Sequence, residues 1–450
     1  MRCRMAILAS LCCVTSLAFG QSLDEAIRIA LSQYPSIIAA QARLNASRAD
    51  IIRAEGQHYP QISWQGTTSN YSGVNSGGGA SASGVLPDNT WIQSPQVTLN
   101  IWAGGRIQAD VDRAKSLSTA RAHQQRLTRD EVALFAFEAY MNWARSLELV
   151  RLAESNLKAH QKILSDVKKI TQVDQGRMID QRQVEVRVQS AAVSLERRRA
   201  ELQAAIQRLE KMLLGAMPAK PSKIDDIRGV IPASVQDAVA LVNDQHPAIA
   251  VQRAQIDAAR AQVASARSQY SPTVDLSYGK QTTQGSGQGD YITQINIRVP
   301  IFSGGSTYGA VGSASNELIA AEQGLTEARL MLTERILSIW PQLTSTRTRK
   351  MISERQVESG RTLVMGYEQQ FRVGQRSLLD LLTVQRDLFD YQNSAVTAAF
   401  DERVAKGRMI AAIGQLAHAY SAASPSAVEA YDTQKSKMKF NLSAGDLQSN

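Results

Sequence analysis

Cysteine is nearly absent: Cys3, Cys12 and Cys13 are the only three in 450 residues. All three lie in a segment that reads as removable. Arg2 and Arg4 precede an apolar run, Met5 to Phe19, too short to span a bilayer as a mature helix and ending in Ala18-Phe19-Gly20. A basic start, an apolar middle and small residues at the −3 and −1 positions make residues 1–20 a secretory signal peptide, cut before Gln21. The exported chain then carries no thiol, which excludes disulfides, cysteine catalysis and zinc–thiolate sites. Cys12 and Cys13 follow Leu11 and Cys12, not a small residue, which argues against a lipid anchor.

Other absences narrow the class further. No second apolar stretch approaches the ~18 residues of a transmembrane helix, so residence in a membrane would require a closed β-barrel. Aromatics are 6 % and charged residues 20 % of the chain, with many Ala, Gln, Leu and Arg, a mix suited to long helices packed side by side. The formal charge is +9, but Arg and Lys are interspersed with Glu and Asp, which reads as solvated surface and not as a nucleic-acid site. The histidines (His58, His123, His160, His246, His418) are scattered without metal-ligand spacing. Gly285, Gly287 and Gly289 precede no helix, so they are not a phosphate loop, and no nucleophile elbow or Walker loop occurs. An enzyme is not expected, nor a metal or cofactor.

What is present is a repeat. Ser22-Leu23-Asp24-Glu25-Ala26-Ile27 through Gln33-Tyr34-Pro35 returns as Ser234-Val235-Gln236-Asp237-Ala238-Val239 through Gln245-His246-Pro247. Tyr59-Pro60-Gln61-Ile62 matches Ser271-Pro272-Thr273-Val274, Ile101-Trp102-Ala103-Gly104-Gly105 matches Ile301-Phe302-Ser303-Gly304-Gly305, and Val173–Asp180 matches Val373–Asp380. The offset changes where the loop near 72–90 outruns its partner near 280–290. The chain therefore divides into a signal (1–20), a first repeat (21–215), a linker (216–233), a second repeat (234–415) and a polar tail (416–450).

Each half reads alike: a short helix ending at Tyr34-Pro35 or its counterpart, a longer helix (Ser36 to about Gln57), and then a period of two. Gln96 to Ile101 and Thr293 to Val299 alternate strictly; Ile62 to Gln65 and Val274 to Tyr278 are shorter examples. Trp64, Tyr71, Trp91, Trp102, Tyr278, Tyr291 and Phe302 cluster at the strand boundaries, as the aromatic girdles of a membrane barrel do. After each Gly-Gly a helix of some 65 residues is predicted, Arg106 to Ile170 and Ser306 to Arg372, roughly 100 Å of rod. Leu318, Leu325, Leu332 and Ile339 recur every seventh residue. Return helices, Met178 to Leu214 and Leu378 to Gly414, complete antiparallel hairpins. Pro341 falls midway along the second of the long helices, where its missing N–H predicts a kink. Four strands do not close a barrel, since bilayer-spanning barrels need at least ~8; three chains supply a lumen.

The Ser-Leu-Asp-Glu-Ala and Ser-Val-Gln-Asp-Ala openings, the Gly-Gly exits and Phe371-Arg372-Val373-Gly374-Gln375-Arg376-Ser377-Leu378-Leu379-Asp380-Leu381-Leu382 resemble the TolC family of outer-membrane efflux and secretion channels over about residues 22–415. The resemblance implies a mainly α fold with a membrane β-barrel, in which long helical hairpins form an α-barrel across the periplasm. Four strands per protomer join a twelve-stranded barrel in a homotrimer. It implies an outer-membrane exit duct, passive itself, opened by an inner-membrane ABC or proton-driven transporter through a periplasmic adaptor, with outer-membrane lipid around the barrel and an exported substrate inside. It also implies a periplasmic constriction at Phe371, Arg376 and Asp380, and tip contacts to the adaptor at Val173, Gln175, Gly176, Asp180, Val373, Gly374, Gln375 and Ser377. Phe371 lacks a hydroxyl and Thr383 stands where some members carry a second acid. Type I secretion of a protein is the first reading, multidrug efflux the alternative. A soluble periplasmic coiled-coil adaptor or scaffold is a third reading, and it requires the alternating segments to form a soluble sheet.

Overall fold

The computed structural model describes residues 22–70, 89–215, 227–283 and 290–421. The signal segment, the tips of both hairpin loops, most of the linker and the tail beyond 421 lie outside the described residues. The order of elements is α1 (Leu23–Gln33), α2 (Pro35–Glu55), β1 (Gln61–Asn70), β2 (Asn89–Trp102), α3 (Arg106–Thr171) and α4 (Met178–Met212). It continues with α5 (Val235–Ala240), α6 (Pro247–Ser268), β3 (Thr273–Thr283), β4 (Asp290–Arg298), α7 (Ser306–Arg372), α8 (Leu378–Ala412) and α9 (Leu416–Tyr420).

Local chemistry sets the boundaries. The Ser22 hydroxyl accepts from the Glu25 N–H at 3.3 Å, and Asp24 and Glu25 occupy the first turn of α1, where negative charge complements the helix dipole. Pro35 forces Tyr34 into an extended conformation (ψ 131°) and then opens α2, because its missing N–H costs nothing at a first position. His246 and Pro247 repeat the device, with His246 Nδ1 accepting from the Ala248 N–H at 3.2 Å. The second half departs from the first at α5, which stops at Ala240 and not near Gln245. The Asn243 carboxamide oxygen accepts from the Gln245 N–H at 2.9 Å, an Asx turn that competes with the helix. At Gly104-Gly105 and Gly304-Gly305 φ is +61°, +86°, +62° and +84°, left-handed backbone that turns each strand into its long helix at little cost only in glycine. α7 continues through Pro341, and the Thr344 hydroxyl donates to the carbonyls of Pro341 (3.0 Å) and Trp340 (3.3 Å).

The chain forms two compact units, residues 1–37, 129–238 and 335–450 in one, 38–128 and 239–334 in the other. In the first, Phe137, Tyr140 and Met141 of α3 are fully buried with Ile27 of α1, Leu209 of α4, Ile410 of α8 and Leu416 of α9. Burying each such side chain is worth ~1.5–3 kcal/mol. Tyr140 meets Trp143 edge-on at 5.4 Å. The end of the linker packs on this core through Ile227 and Ile231. Arg228 pairs with Asp24, and its N–H donates to the Tyr420 hydroxyl at 3.2 Å. Buried Asp130 accepts from the Ala417 N–H at 2.8 Å and so ties α9 to α3. Glu402, 6 % exposed, is ringed by Lys406 (2.9 Å), Lys350 (3.0 Å) and Arg347 (3.9 Å). Burial alone would raise its pKa, but the hydrogen bonds from Lys406 and Lys350 outweigh that and hold it below the usual glutamate value.

In the second unit the sheet order is β1-β2-β3-β4, antiparallel throughout. Beside it, Val263 and Ala266 of α6 pack against Ala314 of α7, and the Ser265 hydroxyl donates to Asp110 at 2.9 Å.

Two expectations test this core. A Cβ on Gly407 would lie 2.3 Å from the Phe137 ring, so Gly407→Ala lowers stability by about 1–3 kcal/mol. Phe137→Leu, tolerated poorly alone, recovers part of that loss in the double variant, as thermal melts by circular dichroism read it. Burial raises the Asp130 pKa to about 6, against the lowering by the Ala417 N–H. An acid whose pKa rises on folding binds its proton more tightly when folded, so stability increases as pH falls from about 6 towards 4. Asp130→Asn, which keeps an acceptor for Ala417, is more stable than the parent at pH 7.5 by on the order of 3 kcal/mol, and the difference vanishes near pH 4.

Candidate functional site

The strand register sorts the sheet into two chemically distinct faces. Directly paired residues share a face, and alternate residues change face. The pairs Ile62↔Val97, Trp64↔Pro95, Val97↔Tyr278, Leu99↔Leu276, Leu276↔Ile295 and Val274↔Ile297 put every one of those side chains on one side. Ser63↔Gln96, Thr98↔Ser277, Asn100↔Asp275, Ser277↔Gln294 and Asp275↔Asn296 occupy the other. There the Asn100 amide donates to Asp275 at 2.7 Å.

Both faces of the sheet are open along its edge strands, the apolar one included. Ile62 is 82 % exposed, Trp64 60 %, Ile295 62 % and Ile297 67 %. A sheet in water hides this face against helices, which is the requirement that the soluble-scaffold reading carried. Contiguous exposed apolar surface of this kind marks contact with lipid or partner. With 9 to 14 residues per strand, each is long enough to cross a bilayer with tilt.

The predicted aromatic positions sit at the margins of that face. Tyr278 and Tyr291 stack at 5.7 Å, and the Lys280 ammonium lies 5.4 Å above the Tyr291 ring. Trp102 reaches the apolar side through a β-bulge between Asn100 and Trp102, which pairs Trp102 with Val274 and breaks the alternation. Trp102 is 55 % and Phe302 89 % exposed. Tyr71 and the side chain of Trp91 lie outside the described residues.

The two helical turns form the second region. Between α3 and α4, Val173, Met178 and Ile179 are exposed, Asp174 accepts from the Gly176 N–H at 3.0 Å, and Arg177 pairs with Asp180 at 3.7 Å. Gln175 begins a single 3₁₀ turn. Between α7 and α8, Gly374 has φ +77°. The Ser377 hydroxyl caps α8 by accepting from the Asp380 N–H at 3.2 Å. Val373 and Leu379 are exposed, as is Gln375.

Of the three residues singled out for a constriction, the structure brings none into contact with another as side chains. Phe371 is buried with Ile163, Val167, Val184, Leu378 and Leu382, and its ring supports the turn from inside. Arg376 does not reach Asp380. Its Nε donates to the Gln370 carboxamide at 3.0 Å and its guanidinium lies 4.6 Å above the Tyr367 ring, so it closes the turn back onto the end of α7. Tyr367 and Gln370 were not singled out from sequence. Their signal is the spacing that sets both on the last turns of α7 before Gly374.

A family model described as outer membrane efflux protein matches residues 26–215 and 239–415. The chain belongs to that family. Among its relatives, the outer membrane efflux protein BepC of Brucella suis is 24 % identical over 71 % of this chain and 71 % of its own. The alkaline protease secretion protein AprF of Pseudomonas aeruginosa is 24 % identical over 62 % and 60 %. TolC of Vibrio cholerae is 20 % identical over 91 % and 94 %. The solved structure of CusC superposes with a TM-score of 0.75 at 18 % identity, covering 87 % of this chain and 91 % of that one. VceC of Vibrio cholerae gives 0.73 at 19 %, covering 87 % and 96 %. The protein is thus an outer-membrane channel of the TolC family that extends into the periplasm, and not an enzyme.

The two faces make opposite demands on substitution. Ile295→Lys places a charge on the apolar face and costs about 2–4 kcal/mol at mid-bilayer, so less protein resists urea extraction from outer membranes. Gln294→Lys, one residue away on the polar face, assembles like the parent.

Proposed function

We propose that the protein is the exit duct of a tripartite export system, working as a homotrimer that an adaptor and an inner-membrane transporter open. The observation that carries this reading is the four-stranded sheet with an exposed apolar face, a polar face and unpaired outer edges on β1 and β4. Unpaired backbone groups are not tolerated in hydrocarbon, and three copies pairing β4 to β1 give a closed barrel whose polar faces line a lumen. The helices offer matching evidence for association. Ile179, Val186 and Val193 recur every seventh residue on α4, exposed, and Leu337, Met351 and Met365 do so at multiples of seven on α7. Both are coiled-coil seams without a partner in a single chain. We read the two halves, 21–215 and 234–415, as a tandem duplication that builds this ring.

The periplasmic constriction in this reading lies at the α7–α8 turn, with Arg376 and Asp380 towards the axis and Phe371 holding the turn. Val173, Gln175, Gly176, Asp180, Val373, Gly374, Gln375 and Ser377 form the surface that meets the adaptor. The exposed Val173, Ile179, Val373 and Leu379 support it, since apolar side chains at a turn in water call for a partner. Arg376 is the latch: its bonds to Gln370 and Tyr367 fix the turn. Arg376→Ser raises single-channel conductance in planar bilayers from a low to a high level; an unchanged low conductance counts against the latch.

Secretion of a protein through an ABC transporter is the first reading of the cargo, supported by the named role of AprF in protease secretion. Efflux of small toxic molecules is the second, supported by BepC and by the toluene efflux protein TtgC of Pseudomonas putida. Deleting the gene discriminates between them. Loss of a protein from the culture medium with unchanged drug susceptibility supports secretion, whereas raised susceptibility with an unchanged secretome supports efflux. Cross-linking from Gln375 captures the adaptor in either case.

A further inference from the structure

The helical unit of residues 1–37, 129–238 and 335–450 holds a groove of about 630 Å³ between α3, α4, α7 and α8. On α3, its lining residues Phe135, Glu138, Asn142 and Arg145 lie on the opposite side of the helix from Ala133, Ala136, Phe137 and Tyr140, which the main core buries. The groove therefore opens on the far side of α3, with Met141, Met212 and Phe400 of that core along its floor. The constriction and the adaptor surface do not use it.

Its lining is amphipathic. Phe135, Met141, Met212 and Phe400 contribute apolar surface, and Phe135 is 57 % exposed, an aromatic ring left open to the groove. Five cations, Arg145, Arg208, Lys211, Arg349 and Arg408, face two carboxylates, Glu138 and Asp401. The carboxylates are already engaged: Arg408 pairs with Glu138 at 2.6 Å, and Asp401 lies between Arg145 (3.5 Å) and Arg349 (3.9 Å). Arg208 and Lys211, three residues apart on α4 and both exposed, share one face of the helix and have no ion pair or hydrogen bond among the described residues. The groove thus joins an open aromatic ring to unneutralised positive charge.

We propose that this groove binds small amphiphilic anions, a class comprising aromatic and short aliphatic carboxylates and sulfonates. The anionic group is held by Arg208 and Lys211, whose donors suit an oxyanion, and the apolar body lies against Phe135, Phe400 and Met212. A volume of about 630 Å³ falls in the range of small-molecule sites. The binding site stands apart from the channel reading; a preference of the duct for such anions among its cargo rests on that reading.

The test is calorimetric titration of the solubilised full-length protein with 2-naphthoate, after subtracting its heat of partition into protein-free micelles. Saturable binding at one site per chain is expected, with neutral 2-naphthamide and cationic 2-naphthylmethylammonium at least about tenfold weaker. Arg208→Gln with Lys211→Gln weakens naphthoate by about tenfold or more without lowering the thermal melt, because neither side chain has a partner to lose. Equal affinity for the three probes, unchanged affinity in the double variant or absence of saturable binding each overturns the proposal. Conductance of the same preparation in planar bilayers separates the two readings. Binding without conductance removes the channel role and leaves the site, and conductance without binding removes the site alone.

Discussion

In the hydrocarbon of a bilayer every backbone N–H and C=O must find a partner within the protein, because water is absent and each orphan costs several kcal/mol. Four antiparallel strands satisfy three internal ladders and leave the outer edges of β1 and β4 open. The rest of the molecule can be read from that constraint. The sheet carries two chemically opposite faces because one meets lipid and the other a lumen, and the bulge that turns Trp102 outward keeps an aromatic at the margin of the lipid side. The requirement for several copies, proposed here as three, follows from the same open edges and not from any property of the helices.

The helical unit solves a different problem. Long helices such as α3 and α7 have no thick core of their own, so stability is concentrated where several elements converge on Phe137, Tyr140 and Met141. The short α1 and α9 and the end of the linker all fasten there, through Asp24–Arg228, Asp130–Ala417 and Tyr420–Arg228. Charges are buried only where they are answered, as Glu402 is by Lys350 and Lys406. Asp130 is the partial exception, hydrogen-bonded by one backbone N–H while burial raises its pKa to about 6. The basic groove beside Phe135 is one place where positive charge is left over, with Met141, Met212 and Phe400 of that core along its floor.

The helical turns are held by little chemistry. Gly374 supplies the left-handed residue, Ser377 caps the return helix, and Arg376 folds back over Tyr367. Phe371 anchors the arrangement from within its small cluster. An arginine that bonds its own turn, with a neighbouring carboxylate left free, can exchange partners without a large change in burial, which suits the opening proposed for this turn.

Much of this was legible in the order of residues. Period-two alternation over Gln96–Ile101 and Thr293–Val299, the glycine pairs, the prolines at 35 and 247 and the long uninterrupted helical stretches each act over a few residues, and local physics suffices to read them. The early stop of α5 at Ala240 was not legible, because the Asx turn at Asn243 and a helix compete on nearly equal terms there. The alternation alone did not say whether lipid or helices cover the apolar face; only the folded register, with Ile62, Trp64, Ile295 and Ile297 on one uncovered side, decided it. Nor did spacing show that Arg376 would choose Gln370 and Tyr367 over Asp380, or that Phe371 would be buried. The sequence by itself determined the elements and their repetition, since these depend on neighbours in the chain. The tertiary structure decided which faces stay open and which charges remain unpaired, since exposure depends on residues far apart in sequence.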